Sequence, residues 1–179
     1  MNDETSLWRP RPSSAYRPTG RVLTVPTTSV ACTAMMLRTA GALESACFWL
    51  GLLDELGNAQ VKALVLPSQV NRSRYYAVPG PAMVKVAALA RPHGGTIVGA
   101  IHSHPGAGVE HSTYDDEMTP SRRAVSIVMP RYGHWYGQWP DGLGVHEYFE
   151  KYWHLLSDAH ARLRVALSDE VESPVFDLR

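Results

Sequence analysis

The chain predicts an α/β class fold, α+β in its finer arrangement, with one domain built on a central mixed β-sheet flanked by helices. Its 179 residues fall within the ~100–200 expected of one domain. Hydrophobic residues make up 45% and charged residues 19%, enough apolar material for a packed core and too little charge for a disordered chain. Short uncharged runs rich in branched residues alternate with segments of helical spacing, so strands and helices interleave.

Residues 1–20 hold Pro10, Pro12 and Pro18 with Arg9, Arg11 and Arg17 among serines, a composition that buries little. They are expected to form a flexible, solvated arm ahead of a folded domain over 21–179. From Thr27 or Thr28 the chain offers an N-cap hydroxyl, then helix formers, then Gly41 as a stop. Glu44 to Leu53 is an apolar run behind one acid, and Gly57 and Asn58 separate it from VKALVLP. A two-stranded hairpin is expected there, with one helix over 43–56 as the alternative. Tyr75 to Val78 suits a short strand. Pro81 suits the first position of a helix through AMVKVAALA, closed by Pro92 and the Gly94–Gly95 pair. TIVGAIH (96–102) and AVSIVM (124–129) carry no charged residue, counting histidine as neutral, and predict strands covered on both faces. VHEYFEKYWHLL (145–156) predicts a hairpin turning at Glu150 and Lys151, since aromatic and branched residues dominate it. An amphipathic helix is the alternative there.

Seventeen Lys and Arg balance 17 Asp and Glu, so no net field draws the chain to nucleic acid or an anionic bilayer. No run approaches the ~18 apolar residues of a membrane span. The opening MNDETSLWRP has no basic region leading into an apolar one, so no secretory signal is expected. Cys32 and Cys47 lack CxxC spacing and are expected as reduced core thiols of a cytoplasmic protein.

The chemistry lies in IHSHPGAGVEHSTYDDE. Residues i and i+2 of a strand leave one face, so His102 and His104 can offer ring nitrogens to one ion. Pro105 then ends the strand. A catalytic zinc takes three protein ligands and leaves one position open, so a third ligand is expected within loop reach. Asp115 fits: with Ser112 as a helix N-cap, it falls in the first turn and faces back towards the strand end. Asp116, Glu110, Glu117 and His111 compete for that role, and the spacing from Ser112 favours Asp115.

HxHP, six residues, then SxxD is filled by His102, His104, Pro105, Ser112 and Asp115. This resembles the JAMM motif of the MPN (JAB1/Mov34) zinc metallopeptidases. The family's upstream ExxGxLxG is matched at Glu44 and Gly51 in ESACFWLG, while Cys47 and Trp49 depart from its glycine and leucine. The resemblance covers about residues 30–128 and implies an MPN-like domain. It implies one zinc per chain on His102, His104 and Asp115, and Glu44 as general base. Ser112 is implied as the oxyanion donor, a role compatible with that of helix cap. The activity implied is hydrolysis of the amide bond after the C-terminus of ubiquitin or a ubiquitin-like protein, by a stand-alone bacterial isopeptidase resembling deubiquitinases. Residues 131–142 carry Tyr132, Trp135, Tyr136 and Trp139, which either anchor such a partner or cover the core edge. The alternatives are a non-catalytic binding module of the same fold and a sulfur-carrier-processing amidohydrolase of the same family. The metallo-β-lactamase and cupin patterns fit poorly, because Gly106 and Glu117 stand where they require an aspartate and a glycine.

Overall fold

The computed structural model describes residues 9–93, 95–170 and 173–179. Strand β1 (Leu23–Pro26) runs straight into helix α1 (Thr27–Arg38). The helix starts behind Pro26 with no side-chain cap, and the Thr27 hydroxyl donates instead to the Ser168 carbonyl. The expected threonine cap is therefore absent, because the helix is entered directly from a strand whose partner takes that hydroxyl. Gly41, in the left-handed region, follows the helix end as expected.

The apolar run after Glu44 is a strand. β2 (Ala46–Leu53) pairs antiparallel with β3 (Ala59–Leu66), and the helical alternative is not adopted. Alternation along β2 buries both faces. Cys47 and Trp49 join Val30, Ala34 and Leu37 of α1 in one core cluster. Phe48 and Leu50 pack on the other side with Val86 and Ala90 of helix α2 (Gly80–His93). The pairing of β2 with β3 shifts register between Leu50 and Gly51, where a Cβ on Gly51 would lie 2.0 Å from the Gln60 carbonyl oxygen. Burial pushes the Cys47 thiol up to about 12, which leaves it an inert part of the core. Cys32 is partly buried against the same cluster.

Two short strands, β4 (Val70–Asn71) and β5 (Tyr76–Ala77), pair with each other ahead of α2. That helix begins at Gly80 and, passing Pro92 by one residue, ends at His93 directly ahead of the expected glycine pair. The Gly95 N–H, donating to the Ala90 carbonyl at 2.5 Å, closes it. β6 (Thr96–Ser103) lies antiparallel to β2 and parallel to β7 (Val125–Met129). The stretch between β6 and β7 carries the short helix α3 (Thr113–Met118).

β8 (Gly144–Phe149) and β9 (Tyr152–Leu155) form the expected hairpin, with Glu150 and Lys151 both at positive φ in its two-residue turn. α4 (Asp158–Arg164), β10 (Val165–Ser168) and β11 (Val175–Asp177) complete the chain. The mixed sheet runs β10-β1-β3-β2-β6-β7-β8-β9, with β11 also on β3. No helix among the described residues is long and apolar enough to cross a membrane.

Of the N-terminal stretch, residues 1–8 lie outside the described residues. Residues 9–20 have no regular secondary structure and run beside the β8–β9 hairpin. There Tyr16 Oη donates to Glu147 Oε2 at 2.6 Å, and Arg164 Nε pairs with Glu147 Oε1 at 2.9 Å.

Candidate metal centre

β6 lies between β2 and β7, so its C-terminal end emerges in the middle of the sheet. His102 is 1% exposed there and stands opposite Ala46 of β2. His104 lies just past the strand, yet its N–H still donates to the Met129 carbonyl at 2.9 Å. The His104 carbonyl accepts from Tyr132 N–H at 2.7 Å, and the Gly106 carbonyl from Arg131 N–H at 2.8 Å. Arg131 and Tyr132 adopt φ of 53° and 55°, in the left-handed region that side chains other than glycine seldom occupy. This strained turn holds the backbone of the second histidine. His104 Nδ1 lies 3.2 Å from the Gly108 carbonyl oxygen, which can only accept. Nδ1 therefore carries the proton, and the lone pair of Nε2 is left for another partner.

The third side chain comes from α3. Ser112 Oγ accepts from Asp115 N–H, and Asp115 Oδ2 accepts from Ser112 N–H at 2.7 Å, a complete capping box. Asp115 Oδ1 lies 3.3 Å from His102 Nε2, and Oδ2 lies 3.4 Å from His104 Nε2. The two Nε2 atoms are 3.1 Å apart. One ligand atom from each of the three residues lies within 4.8 Å of the others. Two imidazole nitrogens and one carboxylate oxygen converging in a buried site suit zinc, whereas calcium and magnesium favour oxygen ligands alone.

The electrostatics agree with a site for a cation. Burial pushes the Asp115 carboxyl up, but His102 and His104 beside it and the Ser112 N–H outweigh burial and hold it well below the usual carboxylate range. Burial drives His102 down to about 4, so its ring is neutral near pH 7. His104 is also pushed down by burial, but the Asp115 carboxylate wins and raises it.

The competing residues are directed elsewhere. Asp116 accepts from Arg9 on Oδ2 at 2.8 Å and from His111 on Oδ1 at 2.9 Å. His111 Nε2 lies 2.8 Å from Ser126 Oγ on β7. Glu110 is exposed and turns back to the Val109 N–H, and Glu117 is exposed.

Glu44 is 4% exposed and sits two residues before β2. Its N–H donates to the Arg72 carbonyl at 2.7 Å, and its carbonyl accepts from Asn71 Nδ2 at 2.6 Å. Ser103, between the two histidines, fastens the neighbouring Ser45 twice: Ser103 Oγ accepts from Ser45 N–H, and Ser103 N–H donates to the Ser45 carbonyl. The Glu44 carboxyl feels His104 and Asp115, and burial above all raises it from 4.5 to about 7. Of the aromatic loop, Trp135 and Trp139 pack at the core edge, while Tyr136 is 85% exposed.

Ser103, Asn71, Tyr132 and Arg9 carry no signal of these contacts at the level of spacing, because each acts through a backbone group or a neighbour distant in sequence, whereas His111, weighed as a ligand, pairs instead with Asp116. Only the positive φ of Tyr132 marks one of them locally, and φ is not read from residue type.

The family described as prokaryotic homologs of the JAB domain matches residues 33–136, more than half of the chain. Among solved structures, a protein from Desulfitobacterium hafniense is similar at a TM-score of 0.60 and 15% identity, covering 84% of this chain and 96% of that one. A protein from Salinibacter ruber is similar at 0.54 and 17%, covering 75% and 88%. At these identities the likeness is one of fold.

Proposed function

The chain belongs to the prokaryotic homologs of the JAB domain, and on that premise we propose that it is a zinc-dependent peptidase acting on amide bonds. The observation that carries the reading is the convergence of His102, His104 and Asp115 beside a buried carboxyl, Glu44, whose proton affinity is raised to the neutral range. His102 Nε2, His104 Nε2 and an Asp115 oxygen would hold one zinc ion per chain. When bound, zinc supplies Lewis acidity, lowering the pKa of water to about 7 and polarising a carbonyl.

The rest falls to the side chains. Glu44 takes a proton from the attacking water and returns it to the leaving amine, work that suits a carboxyl titrating near 7. Asp115, held ionised, balances the charge of the cation. The Ser112 hydroxyl, on the N-cap of α3, donates to Asp115 Oδ2 at 2.8 Å, and we assign it, once turned from that carboxylate, as the donor for the developing oxyanion. Carboxylate and amine are the products. The substrate we assign is the C-terminal tail of ubiquitin or a ubiquitin-like protein joined to an amine, with the cytoplasm of a bacterium as the compartment.

Metal analysis of the purified chain is expected to find about one zinc, and His104→Ala to lose it. Glu44→Gln is expected to keep zinc and lose turnover of ubiquitin-like proteins bearing C-terminal extensions, followed by mass spectrometry. Turnover retained in Glu44→Gln would refute the base, and zinc retained in His104→Ala would refute the site. Full zinc occupancy with every such substrate left uncut would favour a binding module.

A further inference from the structure

We infer that Arg9, acting through Asp116, is a positioning residue for Asp115, so that the N-terminal segment completes a metal centre whose ligands all lie within residues 33–136. The inference rests on the zinc reading of that site.

α3 is six residues long, too short to hold its own position in water. Anchors outside the helix must set where it lies and how it is rotated. Consecutive residues on a helix point about 100° apart, so whatever fixes Asp116 also fixes the direction of Asp115. Both Asp116 oxygens are engaged. Oδ1 accepts from His111 Nδ1 at 2.9 Å, and His111 in turn reaches Ser126 on the floor of the sheet. Oδ2 accepts from Arg9 Nε at 2.8 Å.

Arg9 is itself well seated. Its side chain is 11% exposed, Nη2 donates to the Trp153 carbonyl on β9 at 2.7 Å, and the guanidinium lies 4.4 Å from the centre of the Tyr152 ring. The chain Arg9–Asp116–His111–Ser126 therefore ties α3 to β9 on one side and to β7 on the other. Arg9 makes no contact with His102, His104 or Asp115 among the hydrogen bonds and ion pairs of the described residues, and its direct link to α3 is Asp116. Guanidinium geometry matters here, because one planar group serves a carboxylate and a carbonyl at once.

The test uses the full chain and zinc alone as probe, in competition with a chromophoric chelator. Arg9→Ala and Asp116→Asn are each expected to weaken zinc binding about 10- to 100-fold, the range of groups that orient ligands. Arg9→Lys should recover part of the loss, and the double variant should be no worse than the weaker single one. Cobalt-substituted Arg9→Ala should show an altered visible spectrum. In the metal-free protein, amide exchange should quicken over 113–118 in Arg9→Ala while β2, β3 and β6 keep their protection. Unchanged affinity together with unchanged exchange in α3 would overturn the inference, as would additive losses or a uniform loss of protection across the sheet. A native chain that binds no zinc would overturn the reading of the site instead, and α3 exchange would then decide the role of Arg9.

Discussion

Glu44→Gln isolates what the buried carboxyl costs the fold. The substitution keeps size and shape and removes a group whose folded-state pKa is raised from 4.5 to about 7. Each tenfold change in proton affinity is worth about 1.4 kcal/mol, so the displacement corresponds to about 3 kcal/mol. The sign follows from which state holds the proton. Below about 4.5 the carboxyl is protonated folded or unfolded, and the glutamate costs nothing relative to glutamine. As pH rises towards 7 the unfolded chain ionises freely while the folded chain resists, so stability falls across that window. Above it the folded state carries a buried charge. Urea denaturation in the presence of a chelator should find the two proteins nearly equal at pH 4, with the variant ahead by about 3 kcal/mol at pH 8. Parallel stability curves from pH 4 to 8 would refute the reasoning, because they would mean that Glu44 titrates alike in both states. A gain in stability matched by loss of turnover would mark Glu44 as a residue kept at the expense of the fold.

Gly99→Ala should cost about 1–3 kcal/mol in thermal denaturation, since its Cβ would meet the Trp49 ring at 2.7 Å. Thr33→Val strands the Trp49 indole N–H, which donates to Thr33 Oγ1 at 2.8 Å in the core, and should cost about 1–3 kcal/mol by urea titration. Arg164→Ala leaves Glu147 buried without its cation and should cost about 3–5 kcal/mol by the same measure. Removing metal with a chelator should abolish turnover while far-ultraviolet circular dichroism stays native, because both apolar clusters stand without the ion.

The hairpins and the two-sided strands were legible because apolar periodicity and turn residues declare them locally, whereas β1, α4, β10 and β11, short elements on β3 and its side of the sheet, carried no such pattern. TIVGAIH is uncharged up to His102 because β6 is covered on both faces, and Glu150–Lys151 turns because the aromatic stretches on either side pair. The Thr27 cap was misread since the competing acceptor, the Ser168 carbonyl, lies 141 positions along the chain. α2 outlasts Pro92 because a proline in the last turn forfeits a single hydrogen bond, a small loss beside the packing of Val86 and Ala90. The three converging side chains were legible from fixed spacing, as Ser112 and Asp115 form one local cap. The groups that steady them were not: Ser103 reaches Ser45, Tyr132 reaches His104, and Arg9 reaches across 107 positions to Asp116. Such pairings exist only once the sheet has formed.

β6 and β7 run side by side in the same direction, and two strands so arranged cannot be joined by a tight turn. The polypeptide must leave the end of one strand and travel the length of the pair before entering the other. Residues 104–124 are that detour, and Ser112 and Asp115 ride on it over the spot where His102 and His104 come to rest. Chain connectivity thus obliges some excursion above this rim of the sheet, and evolution had only to furnish it with a carboxylate.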